Sequence, residues 1–289
     1  MTKLYGHIFG LKDVSFTVKK GEIFGFLGPN GAGKTTTIRL LLNLLHPTRG
    51  RIFIFDQDVK FSSFSIRKKC GYLPGDFFAY GNMTSSEFLA YVARLRNLQT
   101  SQISNLIDRF AFQHSLSQKI KHLSHGTRQK LGILQTFIHN PDLVILDEPT
   151  TGLDPLIREE FYEFLRELQA AGKTIFFSSH NLPEVEKVCD RIAIIRQGEL
   201  VALEHLETLK KKRFRRLELE LQHPLKEELN IPEAQLLKKE GLHYEFLIRG
   251  DLNLLFKKLS TLPLSEIIFP EPTLEEVFLL YYKDDDIAQ

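Results

Sequence analysis

Through the first ~200 residues, short unbroken apolar runs alternate with stretches whose apolar positions recur at helical spacing. That rhythm predicts an α/β layer fold. Ile23–Leu27 reads as a strand and Lys34–Leu45 as a helix that opens just after a glycine-rich turn. Leu143–Leu146 and Thr174–Ser178 are continuous apolar runs of the kind found in strands covered on both faces. Between them Pro155–Ala170 reads as a helix, with proline at its start and Gly172 past its end. From Met83 to Asn140 the pattern turns helical: Thr84 or Ser85 caps a helix through Arg96, Ser101 one through Phe110 and Ser124 one through Ile138. This stretch is predicted to be a helical insertion, about 83–140, on the α/β core.

The composition shifts after Leu203. Lys210–Arg216 holds six basic residues in seven. Beyond it the pattern predicts a strand (Leu217–Leu221), a break at Pro224, a strand (His243–Ile248), a helix (Asn253–Leu259), a strand (Leu264–Phe269) and a helix (Leu274–Tyr281). Two domains are therefore expected, 1–209 and a small α+β domain over 210–289. The basic run reads either as a solvated linker or as a segment drawn to an anionic leaflet.

Composition narrows the class. With 43% hydrophobic and 26% charged residues the chain can bury a large core. A net charge of +2 gives no reason to expect a nucleic-acid partner. Cys70 and Cys189 lie in no metal-ligand pattern and fit buried thiols in a reducing compartment. No secretory signal opens the chain, and no apolar stretch approaches the ~18 residues of a membrane span. Another chain is expected to supply any channel.

Gly28-Pro29-Asn30-Gly31-Ala32-Gly33-Lys34-Thr35, followed by Thr36, has the spacing of a phosphate-binding loop between a strand and a helix. Glycines let successive N–H groups turn inward, and the helix N-terminus adds its positive end. Lys34 is a point charge for the β- and γ-phosphates, and Thr35 a Mg²⁺ ligand. Leu143–Glu148 is an apolar strand ending in two acids, costly unless they face a cation or a polar cleft. Asp147 is expected in the Mg²⁺ shell, with Glu148 polarising the attacking water.

Leu123-Ser124-His125-Gly126-Thr127 opens a predicted helix and resembles the signature of ABC ATPases. Other marks of that family follow in its order over about residues 1–205: Tyr5 as the aromatic that stacks on adenine, Pro149–Asp154 as the D-loop, and Ser178-Ser179-His180 as the switch histidine. The resemblance implies a P-loop NTPase fold with a helical subdomain, ATP and Mg²⁺ as ligands, and catalytic Glu148 and His180. It also implies head-to-tail pairing with a second ATPase subunit, identical or different. Ser124, Gly126 and Thr127 would then meet the partner's ATP, and Asp154 would lie in the D-loop. Ser124 also reads as a helix cap, and Tyr5 also as core packing.

Two departures stand out. His125 and Thr127 replace the family's usual Gly and Gln. In Gly71–Asp76, which resembles the Q-loop, Gly75 occupies the usual glutamine position, leaving water or Asp76 as the substitute Mg²⁺ ligand. Phe77-Phe78-Ala79-Tyr80 reads as core or as the groove for a membrane subunit. The pattern, with Pro272–Phe278 near the end, most resembles ATPase subunits of bacterial multidrug or antibiotic exporters. An integral-membrane permease partner and a peripheral place on the cytoplasmic membrane face follow. A soluble ABC ATPase acting on ribosomes or nucleic acid is the alternative. A P-loop kinase or GTPase is opposed by the signature.

Overall fold

The computed structural model describes residues 1–98, 103–211, 215–224, 229, 231, 234–248 and 252–269. The expected Ser101 cap, the Leu274–Tyr281 helix and the Pro272–Phe278 segment lie outside them. The chain divides into two compact units, Met1–His205 and Leu206–Gln289. The expected boundary at 209/210 falls inside a short helix, α8 below.

The first unit opens with a hairpin, β1 (Lys3–Tyr5) and β2 (Ile8–Leu11). β3 (Ile23–Leu27) follows, then α1 (Lys34–Leu41). α1 stops four residues short of the expected Leu45, because Asn43 takes φ +54°. The N–H of Asn43 then bonds the Leu40 carbonyl and the N–H of Leu44 bonds that of Arg39. This is the double closure that a left-handed residue gives a helix end. A second hairpin, β4 (Phe53–Ile54) and β5 (Gln57–Asp58), leads into α2 (Val59–Lys68) and β6 (Cys70–Leu73).

The insertion contains α3 (Ser85–Leu95), α4 (Ser104–Arg109) and two short 3₁₀ turns before α5 (His125–Phe137). Thr84 closes a capping box with Glu87 on α3. α4 begins at Ser104 after Ile103, without a side-chain cap. α5 reaches out of the insertion onto the core: Gly132 lies against Leu73 and Phe77, and Thr136 donates to the Tyr72 carbonyl at 3.1 Å. Its second half therefore belongs to the α/β layer rather than to the insertion.

β7 (Leu143–Asp147), α6 (Pro155–Ala170), β8 (Thr174–Ser179), α7 (Leu182–Val188), β9 (Arg191–Arg196) and β10 (Glu199–His205) complete the unit. The six-stranded sheet runs β10-β9-β3-β8-β7-β6, parallel except for β10. β3, β7 and β8 are buried at every residue, as parallel strands covered on both faces must be. β10, the antiparallel edge, alternates exposed and half-buried positions. On one face Phe16 stacks on Phe24 and Phe176 and lies tilted against Phe26. Among the helices Phe110 and Phe137 meet Phe164 edge to face.

The second unit holds α8 (Leu206–Lys211), β11 (Arg215–Leu221), β12 (Ala234–Glu240), β13 (His243–Ile248), α9 (Leu252–Leu259) and β14 (Leu264–Ile268). Its antiparallel sheet runs β12-β13-β11-β14. Leu217, Leu219, Phe246, Ile248, Leu255 and Leu259 form its core. The α+β reading of the sequence missed β12, which is exposed at six of seven residues and carries no apolar alternation.

Candidate nucleotide site

β3 ends at Leu27 and the chain turns through Gly28–Gly33 into α1. A Cβ at Gly28 would lie 2.5 Å from the Ile195 carbonyl, so the turn closes only on glycine. Gly31 and Gly33 take φ +81° and +110°. Gly33 is the N-cap of α1 and offers no side chain to its first turn. The N–H groups there face the loop, the arrangement that suits an anion. Pro29, Asn30 and Thr35 are exposed, Thr36 is half-buried, and Ala32 is packed inside.

Lys34 is 5% exposed. Its ammonium donates to the carbonyls of Gly28 (2.7 Å) and Pro29 (3.1 Å) and lies 3.3 Å from Glu148 Oε1. The Thr35 hydroxyl donates to Asp147 Oδ2 at 2.9 Å, and Ser178 holds the other oxygen at 2.7 Å. Asp147 is 4% exposed. A hydroxyl paired with a carboxylate is an all-oxygen set that suits a hard divalent cation. Among the described residues no three His, Cys, Asp or Glu side chains cluster as a metal cage. Such a cation would complete its shell with phosphate and water. Tyr72 stands near this carboxylate; burial, and then the charge of Asp147, push its phenol up to about 12.

Glu148 has φ +50°, a conformation uncommon for a side-chain residue and found where a site constrains the backbone. Its N–H bonds the Ser178 carbonyl at 3.1 Å, and its Oε2 lies 3.0 Å from His180 Nδ1. The loop beyond is pinned twice. Buried Gln129 of α5 donates to the Pro149 carbonyl at 2.9 Å. Thr150 donates to both oxygens of buried Glu184, at 2.8 Å each, and Ser179 donates to Oε2 at 3.2 Å. Sequence reasoning missed Gln129 and Glu184, because single polar residues inside amphipathic helices carry no local signal.

Gly75 lies beside the carboxylate: a Cβ there would be 3.5 Å from the Asp147 carbonyl and 3.9 Å from Oδ2. Asp76 is exposed. Tyr5 is 47% exposed at the end of β1, and its ring lies against the backbone of Gly10. The Gly10 carbonyl and the Leu11 side chain in turn line the space beside Gly33, so Tyr5 is one backbone layer from the P-loop.

Ser124, Gly126 and Thr127 sit at the other end of this constellation. Ser124 caps α5, its Oγ accepting from the Thr127 N–H at 3.2 Å and lying 2.8 Å from the Thr127 hydroxyl. A Cβ at Gly126 would collide with the Gly152 carbonyl, and the His125 ring lies over Gly152. The contacts described for these residues are thus with one another and the D-loop, not with the P-loop. Asp154 caps α6 through the Ile157 N–H (3.0 Å) and lies 3.8 Å from Lys130 Nζ. A cavity of about 850 Å³ is a separate feature. It is lined by Asp142, Leu143 and Thr174 at the starts of β7 and β8, whereas the P-loop follows the end of β3.

A parallel sheet with Lys34, Thr35, Asp147 and Glu148 gathered past its strand ends defines a P-loop nucleotide-binding protein. Residues 11–151 match the ABC transporter family. The chain is 34% identical over 292 aligned residues to the bacitracin transport ATP-binding protein BcrA of Bacillus licheniformis, covering 96% of this chain and 94% of that one. It is 43% identical over 208 residues to an uncharacterized ABC transporter ATP-binding protein of Nostoc sp., of which it spans 62% and which matches 70% of this chain. A solved ATP-binding subunit of an ABC transporter superposes with TM-score 0.68 at 32% identity, covering 73% of this chain and 89% of that one. The chain belongs to the ATP-binding proteins of ABC transporters.

Proposed function

We propose that the Met1–His205 unit binds Mg–ATP, hydrolyses it when a second ATPase subunit completes the site, and thereby powers an integral-membrane permease acting as an exporter. One observation carries this: Lys34, Thr35, Asp147, Glu148 and His180 converge within hydrogen-bonding reach past the ends of β3, β7 and β8.

Lys34 exchanges its carbonyl and carboxylate partners for β- and γ-phosphate oxygens, while the Gly31–Thr36 N–H groups meet the phosphates and Tyr5 the adenine. Thr35 and Asp147 would hold Mg²⁺, which would supply neutralisation of phosphate charge. Freed from Lys34, Glu148 accepts the proton of the attacking water, with His180 holding its second oxygen and reading the γ-phosphate. Ser124, Gly126 and Thr127 serve the partner subunit's ATP, since in their own chain they face the D-loop around Gly152 and Asp154.

Phe77 is buried against Phe88, whereas Phe78 is 81% and Tyr80 62% exposed, the latter edge-on to Tyr91. Phe78 and Tyr80 are therefore the residues proposed to receive the permease. No helix among the described residues is long and apolar enough to cross a membrane; the separate permease and the peripheral position on the cytoplasmic face are proposed from membership of the ABC transporter family. The similarity to the bacitracin transport protein runs through both units, and the direction of export is supported by a relative, 36% identical over 206 residues, named as a Nod factor export ATP-binding protein.

Glu148→Gln tests the reading, because an amide cannot take the water's proton. Turnover should fall by about a hundredfold or more, ATP binding should persist, and size-exclusion chromatography with ATP should give a stable dimer. A monomer that still hydrolyses ATP at the wild-type rate would overturn it.

A further inference from the structure

α2 turns Val59 and Ile66 inward and the rings of Phe61 and Phe64 outward, 76% and 69% exposed. Phe53 of the preceding hairpin is 56% exposed. Each ring carries a cation. Lys60 Nζ lies 5.4 Å from the Phe61 centroid, Lys68 Nζ 4.7 Å from Phe64, and the Arg51 guanidinium 5.1 Å from Phe53. Lys69 Nζ lies 5.6 Å from Phe55 in the turn between β4 and β5. Single exposed phenylalanines are ordinary, but these fall within one short segment. From Arg51 to Lys69 five basic residues (Arg51, Lys60, Arg67, Lys68, Lys69) stand against two acids, Asp56 and Asp58. Asp58 is already engaged by Arg51 at 2.8 Å and by the Lys60 N–H at 2.9 Å. The segment is held firmly: the Arg96 guanidinium donates to the Lys68 carbonyl at the end of α2 (3.1 Å), and Val59 bonds back to the Ile52 carbonyl.

We propose that this face binds the surface of an anionic bilayer, with Phe61 and Phe64 entering the headgroup–acyl boundary and Lys60 and Lys68 meeting lipid phosphates. The chemistry favours lipid over a protein groove. Docking the rings into an apolar protein surface would desolvate the ammonium groups lying over them. At a bilayer surface the lysine stems follow the rings while their heads stay in the wet phosphate layer. Phe64 and Lys68, four apart, share one stripe of α2, and Phe61 lies exposed just before the kink at Ser62 (φ −116°, ψ 20°). The inference rests on the membrane-side location proposed above.

The test uses the full chain, without nucleotide or permease. It is co-sedimented with phosphatidylcholine vesicles and with vesicles in which part of the lipid is phosphatidylglycerol. Wild type should bind the anionic vesicles and lose them at high salt. Phe61→Ser with Phe64→Ser, and separately Lys60→Glu with Lys68→Glu, should each lower the partition coefficient about tenfold or more. Melting temperature and ATP binding should stay unchanged, since these side chains lie outside the core and the P-loop. Failure of wild type to bind anionic vesicles overturns the proposal. So does wild-type binding by both variants, which would assign the attraction to the Lys210–Arg216 run. Variants that keep vesicle binding but lose copurification with the permease would make the face a protein contact, again against it. Fractionation of the native chain with ribosomes rather than membranes would sink the transporter reading itself, a result distinct from the vesicle outcome.

Discussion

Lys34 is nearly enclosed, and its ammonium is spent on two carbonyls and one carboxylate. Lys34→Ala should leave a folded chain whose affinity for ATP falls ten- to a hundredfold, roughly what a charge-assisted hydrogen bond contributes. Titration with a fluorescent nucleotide measures it, and unchanged affinity would remove Lys34 from the site. Gly75 is the second informative position. A side chain there would start in ordinary contact with Asp147, its Cβ 3.9 Å from Oδ2. Gly75 is not among the residues with positive φ, so a β-carbon adds no backbone strain. Gly75→Gln should therefore fold normally and lower the Mg²⁺ concentration needed for half-maximal ATPase activity. An unaltered Mg²⁺ titration would mean that the metal lies out of reach of this position. The proposed P-loop residues, Asp147 and Glu148 could be picked out in the chain by residue type at a spacing, and His180 only by its place in the order of the family's motifs. The left-handed backbone of Glu148 could not, since nothing in a glutamate announces it.

At the scale of elements, caps were the readable feature. Thr84 and Ser124 each accept the expected first-turn N–H of their helices, and Asp154, read only as part of the D-loop, does the same for α6. Asp154→Ala should cost about 1 kcal/mol of stability, a fall of ~2–4 °C in melting temperature for a unit of this size, measured on the isolated chain without ATP. No fall would show that the D-loop aspartate is held for dimer contacts alone. Buried parallel strands were read to within a residue, because burial on both faces leaves an unbroken apolar run. Edge strands were harder: β12 presents Gln, Leu, Leu, Lys, Lys and Glu in succession, a pattern with no period of two. The early end of α1 turned on Asn43, a residue equally at home in a helix surface by composition.

At the scale of the whole molecule, His139 makes the chain sensitive to mild acid. Burial, with Arg96 adding repulsion, lowers its ring from 6.5 to about 4, against the carbonyl of Cys70, which accepts from Nε2 at 3.0 Å. Its Nδ1 is buried without a hydrogen-bond partner among the described residues. The folded state therefore prefers the neutral ring. As pH falls through 6.5 the unfolded chain takes a proton that the folded one refuses until about 4. The stability present above that window drains away within it. The urea midpoint should drop between neutral pH and pH ~5, and His139→Leu should shrink the drop. An equal drop in both proteins would mean that the ring is not held neutral.

The sequence by itself determined the chemistry and the local elements: a phosphate loop between strand and helix, two acids at a strand end, capped helices, and apolar runs that only a covered parallel sheet can use. These are short-range properties, written in neighbouring residues. The tertiary structure alone decided the strand order β10-β9-β3-β8-β7-β6, which sets the P-loop beside acids and a histidine that follow it by more than a hundred residues. It also decided that α5 bonds the loop after Glu148 through Gln129 and that Glu184 closes on Thr150. It further turned the signature residues toward Gly152 rather than toward their own P-loop. Such pairings depend on which surfaces pack together across the whole chain, and no window of neighbouring residues contains that information.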